Sequence, residues 1–379
     1  MPEPSANSEF AFLLACCAQI PDPERQRSLQ QAFASPFDWE PIVARAEYHG
    51  VIPQVYRACV SVAITPPAAL MAAYSINCKR TLWFAAELAR VTKHLEEHGT
   101  ETLAYKGPAL AQVLYGSVCE RQFHDLDLVV RPGDVRGATT ALSDLGYYPA
   151  AELTARQERE RFRCGYELAF DHAYGENLIE LHWRLLPRFY AMDFSIEDLF
   201  HRAETIQIAG QNMRTIAPDD LMLALCAHAA KHMWLRLSLL CDIVQLSKLE
   251  ALNWRLVHRE AARLGLQRIV AVCFVLANRL LGAALPETIA ADAKAKAIAE
   301  EVAALLASNF DFNFESPAYF REMLRLRERA PDRLRLLWRL LTTPSEGEWN
   351  AVRLPDALFP LYHVVRAGRL MNRFLPGNH

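Results

Sequence analysis

The period of the hydrophobic pattern changes twice along this chain, and that change constrains the fold more than any other feature. Up to Glu97, apolar residues recur at helical spacing in segments broken by proline: FAFLLACCAQI, DWEPIVARAEYHGVIPQVYRACV, and a longer run from Ala68 to His98. His49-Gly50 reads as a helix end. From about Thr100 to Ile216, short runs of strand character take over. TLAY and DLDLVV flank the helical stretch PALAQVLYG, YELAF and NLIELHWRL form a hairpin around DHAYGE, and ETIQIAGQNMRTI turns on itself at Gly210-Gln211-Asn212. After Ala217-Pro218-Asp219-Asp220, a helix-start signature, nearly everything is helical again. The expected fold is α+β, a small mixed β-sheet flanked by N-terminal and C-terminal helical regions. The expected division is 1–98, 99–216 and 217–379.

Composition narrows the class. With 52% hydrophobic residues in 379, the chain has ample material for a core, which excludes wholesale disorder. Lys and Arg number 41 against 44 Asp and Glu, so the basic excess of a long-nucleic-acid binder is missing. The apolar run from Ile269 is interrupted by Asn278 and Arg279 and reads as a buried helix rather than a membrane span. MPEPSANSEF lacks the basic start and apolar stretch of a secretion signal. Nine cysteines with no C-x-x-C spacing fit free thiols in a reducing compartment. The expectation is a soluble, cytoplasmic chain with no membrane partner.

The residues that carry chemistry lie around Lys106-Gly107 and Asp125-Leu126-Asp127. In a strand, residues two apart share a face, so Asp125 and Asp127 project together. Paired carboxylates repel each other when buried, and a divalent cation removes the conflict. Mg²⁺, which prefers carboxylate and phosphate oxygen, is the expected cofactor, as two ions, with Mn²⁺ an alternative. Glu180 and His182 alternate with Ile179, Leu181 and Trp183, so that strand offers a third carboxylate, with His182 a candidate nucleotide contact. The turn at Lys106-Gly107 runs directly into a helix, whose free amides and positive end suit a triphosphate, and Lys106 adds a charge. Arg121 either holds phosphates or braces the carboxylates.

These residues carry a resemblance. YKGPALAQVLYGSVCERQFHDLDLVV, followed by GYY, ELHWRL, PDDLMLALCAHAAKHMWLRLSLLCDIVQL and TTPSEGEWNAVRLPDALFPLYHVVR, resembles the uncharacterised bacterial nucleotidyltransferase family of the polymerase-beta-like nucleotidyltransferase superfamily. The likeness runs from the Trp39 region to about Arg366. It implies a nucleotidyltransferase core with metal-binding Asp125 and Asp127 and a third acidic position, read here as Glu180. One departure stands out: the Gly-Ser expected at the strand end is Lys106-Gly107. The literal Gly116-Ser117 is too close to Asp125 to leave room for the helix and reads as a helix end.

The helix beginning near Asp219 is apolar almost all round, which marks it as buried. If unbroken, it gathers His228, Lys231, His232, Arg236 and Asp242 into one sector. Lys231 and Arg236 are then candidate contacts for nucleotide phosphates. The alternative is an Arg236–Asp242 structural pair with satisfied core histidines. His228 and His232 have zinc-ligand spacing but lack the Glu or Cys that would complete such a site. From Arg321 to Arg339, arginines interleave with leucines as in an amphipathic helix with a charged outer face. The expected activity is transfer of a nucleoside monophosphate from an NTP to a hydroxyl or phosphate of a small-molecule, peptide or protein acceptor. Two alternatives remain open at this stage: a non-catalytic nucleotide- or partner-binding protein, and a nucleotide-sugar-dependent transferase.

Overall fold

A strand, a helix and an antiparallel return strand form the centre of the sheet. The computed structural model describes residues 6–34, 38–151, 153–308, 313, 316–344 and 346–374. Among these, the strands are β1 (Leu103–Ala104), β2 (Leu126–Val129), β3 (Tyr148–Pro149), β4 (Glu167–His172), β5 (Gly175–His182), β6 (Glu204–Ile208) and β7 (Gln211–Thr215). They form one mixed sheet in the order β3-β4-β5-β2-β1-β7-β6. β1 is antiparallel to β2 and parallel to β7, and β2 is parallel to β5. The two expected hairpins are β4–β5 and β6–β7. The fold class is therefore α+β, with helical regions on either side of the sheet in sequence.

The alternation along β2 and β5 decides which face meets which layer. Leu126, Leu128, Ile179 and Leu181 are buried against Phe84, Leu88 and Leu95 of the helix Ala68–Glu97 and against Ala138 and Leu142 of the helix Val135–Asp144. The opposite face carries Leu103, Tyr105 and Val129 into a second core, shared with Leu13 and Val55 from the N-terminal helices and Met222, Trp234 and Phe274 from the C-terminal ones. Asp127 has the parity of Val129. The acidic face therefore lies between the sheet and the C-terminal helices, partly walled off from water.

Local signals set several boundaries. Gly116 closes the helix Gly107–Tyr115 in the left-handed region, as its reading as a helix end requires, and Gly50 does the same for Trp39–His49. The run from Ile269 is the buried helix Gln267–Leu281. No described helix is long and apolar enough to cross a membrane. All nine cysteines are free.

Two helical expectations are corrected. The helix from Asp219 is not continuous: Pro218–Lys231 ends, and Leu237–Ser247 begins afresh. Met233 and Trp234 adopt positive φ (51° and 53°), a conformation that costs a non-glycine residue about 1–2 kcal/mol. Complete burial of the Trp234 indole, which donates to Cys273 Sγ at 3.1 Å, offsets that cost. The Arg-rich stretch likewise divides, into Pro317–Leu326 and Ala330–Thr342. Pro331 starts the second helix, and between them Arg327 is fully buried and donates to the carbonyls of Ala191 and Leu264. The outer face of Ala330–Thr342 is not purely charged, because Leu334 and Trp338 are exposed on it.

Candidate active site

Register brings the carboxylates together. Asp127 on β2 lies directly opposite Glu180 on β5, and Val129 opposite His182. Across the other edge of β5, Glu167 on β4 faces His182. Parity thus gathers Asp127, Glu180, His182 and Glu167 on one face, with Asp125 at the entrance to β2.

Lys106 occupies the turn between β1 and its helix, and its Nζ reaches Asp127 Oδ1 at 2.6 Å. His182 Nε2 meets the same oxygen at 3.1 Å and Glu180 Oε2 at 3.3 Å, while its Nδ1 faces Glu167 Oε2 at 3.4 Å. Gly107 holds φ at +51°, and a Cβ there would come within 3.0 Å of the Asp125 carbonyl oxygen. That close approach requires glycine. The first intrahelical bond runs from the Leu110 amide to the Lys106 carbonyl, so the amides before it lie outside the ladder.

Electrostatics follow from this crowding. Burial pushes the Asp127 carboxyl up, but the Lys106 ammonium and His182 outweigh it and hold it well below the usual carboxylate range. Burial likewise opposes a charged Lys106, and the Asp127 charge more than restores it. His182 is depressed by burial yet raised by its bonds to Asp127 and Glu180, reaching about 9. Glu180, pushed up by burial, is brought below its ordinary value by His182. Asp125 behaves oppositely: burial and then the Asp127 charge push it up to about 7, against the pull of Lys106.

Asp127, Glu180 and His182 each offer a ligand atom, all within 4.8 Å of one another. Two carboxylate oxygens and an imidazole nitrogen fit one divalent cation once His182 sheds its proton. Asp125 stands outside this trio. The other such group among the described residues, His94, His98 and Asp144, is largely exposed.

The remaining candidates are more dispersed. Arg121 donates its Nε to Asp242 Oδ2 at 2.9 Å, and Tyr115 OH holds the other oxygen at 2.9 Å. Asp242 therefore pairs with Arg121 and not with Arg236. The exposed Arg236 donates to the Tyr48 carbonyl and stacks over the Tyr48 ring, at the N-terminus of the second helix rather than on the face carrying Lys231. Lys231 Nζ donates to Tyr166 OH at 3.2 Å, and burial pulls its pKa down. His228 and His232 pack ring against ring at 4.6 Å. Burial, reinforced by the Lys106 and Lys231 charges, holds both below the usual histidine range, His232 at about 3. Sequence reasoning missed Tyr166, Glu167, Tyr115 and the Asp242 partnership.

A mixed sheet bearing converging acids beside a glycine turn at a helix start makes comparison with nucleotide-handling proteins informative. Residues 35–282 match the family described as uncharacterised nucleotidyltransferase, and the chain belongs to that family. The match spans the sheet and its surrounding helices but stops before the segments beyond Gly282 that entered the resemblance. No curated protein matches the sequence. Among solved structures, an antigenic nucleotidyltransferase-like protein from Paracoccidioides brasiliensis aligns over 53% of this chain and 93% of its own. It shares 16% identity at a TM-score of 0.30.

Proposed function

We propose that this protein transfers a nucleoside monophosphate from an NTP to an acceptor hydroxyl, with release of pyrophosphate, on a polymerase-beta-like core. The observation that carries the reading is the direct opposition of Asp127 and Glu180 across β2 and β5, bridged by His182. Family membership supports the reaction class.

Asp127, Glu180 and His182 would hold the divalent cation, which supplies charge neutralisation at the reacting phosphate. Their imidazole nitrogen suits Mn²⁺ better than Mg²⁺, whose preference is for oxygen. Lys106 and the amides opening the 107–115 helix bind the polyphosphate, and Gly107 lets the backbone come close. Asp125, near neutrality and at the entrance to β2, accepts the acceptor's proton; this fits the base role better than Glu180, which His182 keeps acidic. The acceptor oxygen forms its bond to the α-phosphorus as the bond from that phosphorus to the pyrophosphate oxygen breaks. Arg121, fixed by Asp242, acts as a brace beside the acids. Lys231 lines the face through Tyr166.

Asp127→Asn should abolish divalent-dependent pyrophosphate release while leaving the circular dichroism spectrum unchanged. Turnover near the wild-type rate would reject the reading. NTP binding without pyrophosphate release in the wild-type protein would mean a binding module, and turnover of nucleotide-sugars alone would mean glycosyl transfer.

A further inference from the structure

A cavity of about 420 Å³ opens between the start of β4 and the C-terminal helices, within the range of small-molecule sites. Two of its wall residues, Tyr166 and Glu167, also belong to the acidic face, through Lys231 Nζ at 3.2 Å and His182 Nδ1 at 3.4 Å respectively. The cavity and the proposed reaction centre are therefore neighbours separated by a single strand end.

Its wall is partly apolar: Phe189 and Phe320 pack edge to face at 6.2 Å, and Tyr166 also lines it. Most of its charges are already satisfied: Arg366 and Arg369 share Glu348 at 3.0 and 2.9 Å. Two donors are not. Trp349 is 5% exposed, and its indole Nε1 has no hydrogen-bond partner. Arg188 meets only Cys164 Sγ, at 4.0 Å, through its guanidinium, with no carboxylate within ion-pairing distance among the described residues. A buried indole N–H without an acceptor is costly, and a guanidinium on the wall of the same cavity lacks an anion. Both needs are met by one kind of guest.

We propose that this cavity binds the acceptor, a small molecule with a planar apolar body, an anionic carboxylate or phosphate for Arg188 and Trp349, and a hydroxyl presented past Glu167. The assignment of the guest as acceptor rests on the nucleotidyl-transfer reading; its binding does not. In the transfer step the guest's hydroxyl oxygen bonds to the α-phosphorus of the NTP, pyrophosphate leaves, and the hydroxyl proton passes to a carboxylate of the acidic face. Phe320, Trp349 and the paired arginines lie beyond residue 282, so the family match does not include this side of the cavity.

The test uses full-length protein with ¹⁵N-labelled tryptophan, the Trp349 indole signal being assigned by its loss in Trp349→Phe. Titration with 4-hydroxybenzoate or phenyl phosphate should shift that signal saturably, and whichever binds tighter identifies the anion. Neutral 4-hydroxybenzamide should bind at least tenfold more weakly. Arg188→Met should weaken the anions at least tenfold. Should that variant not fold, the anion-to-amide comparison on the wild-type protein decides alone. A Trp349 signal that no anion moves, or equal affinity for the amide, overturns the proposal. Asp127→Asn should bind the probe as the wild type does. Probe binding without any pyrophosphate release would leave the cavity assigned while removing the transfer reading. Pyrophosphate release without probe binding would do the reverse.

Discussion

The Nζ of Lys106 lies 2.6 Å from Oδ1 of Asp127, inside a site where the aspartate side chain is 2% exposed. An ammonium thus supplies positive charge at one carboxylate oxygen of the Asp127–Glu180–His182 group. Removing one partner of such a buried pair leaves the other uncompensated, at a cost of about 3–5 kcal/mol.

Lys106→Met should therefore lower the melting temperature of the metal-free protein. Added Mn²⁺ should then raise the variant's melting temperature more than the wild type's, because no ammonium competes for Asp127. Thermal unfolding across a Mn²⁺ series checks this. Equal shifts in the two proteins would show that Lys106 and the cation do not share a carboxylate.

His182 links the same site to pH. Its folded-state pKa of about 9 lies above the ordinary 6.5, so its contribution to stability is complete below pH 6.5 and is lost as pH rises through 9. Urea unfolding of the metal-free protein at pH 6 and pH 9.5 should differ by about 2–3 kcal/mol from this group. In His182→Gln that part of the pH dependence should disappear. An unchanged slope would mean that the imidazole is not the bridging cation.

Asp125 carries the opposite kind of perturbation for a carboxyl. Its pKa rises from 3.8 to about 7, so the folded state binds the proton more tightly, and stability falls as pH climbs across that window. Asp125→Asn should be more stable than the wild type at pH 8, by on the order of 1–3 kcal/mol, with the difference vanishing near pH 4. The same substitution should remove pyrophosphate release. Stabilisation with loss of turnover is the signature of a strained functional group. A destabilised variant at pH 8 would place Asp125 among the structural carboxylates instead.

Much of this site was legible in the sequence because strand parity is robust. DLDLVV and NLIELHWRL alternate cleanly, so the separation of Asp127 from Leu126 and Leu128, and the shared face of Glu180 and His182, follow from spacing alone, whereas Asp125 precedes the strand that parity assumed it to join. That β2 and β5 lie side by side does not, since parallel neighbours leave no local mark. Glu167 was recoverable in part. Extending the closing pair His172–Gly175 without irregularity would set Glu167 opposite Glu180, and the register shift near Phe170 moves it opposite His182. Either register keeps it on the acidic face. The break after Lys231 had no such signal: neither Gly nor Pro marks it, and the left-handed Met233 and Trp234 are held by tertiary burial. Arg236 was therefore carried onto a face it does not share. Asp242 found its partner across the molecule, which no spacing rule reaches.

That partnership separates the two roles open to Arg121. Its guanidinium is 12% exposed, Asp242 is 3% exposed, and Tyr115 completes the aspartate's hydrogen bonds. Asn77 on the 68–97 helix holds the Arg121 carbonyl from the other side. A brace of this kind predicts strong coupling between the two charges. Arg121→Met and Asp242→Leu alone should each cost about 3–5 kcal/mol, and the double variant far less than their sum. A double-mutant cycle by urea unfolding measures that coupling. Turnover supplies the second readout, because a brace should change kcat and leave the KM for NTP nearly constant, whereas a phosphate ligand should raise KM. Additive unfolding energies together with a raised KM would transfer Arg121 from the brace to the nucleotide.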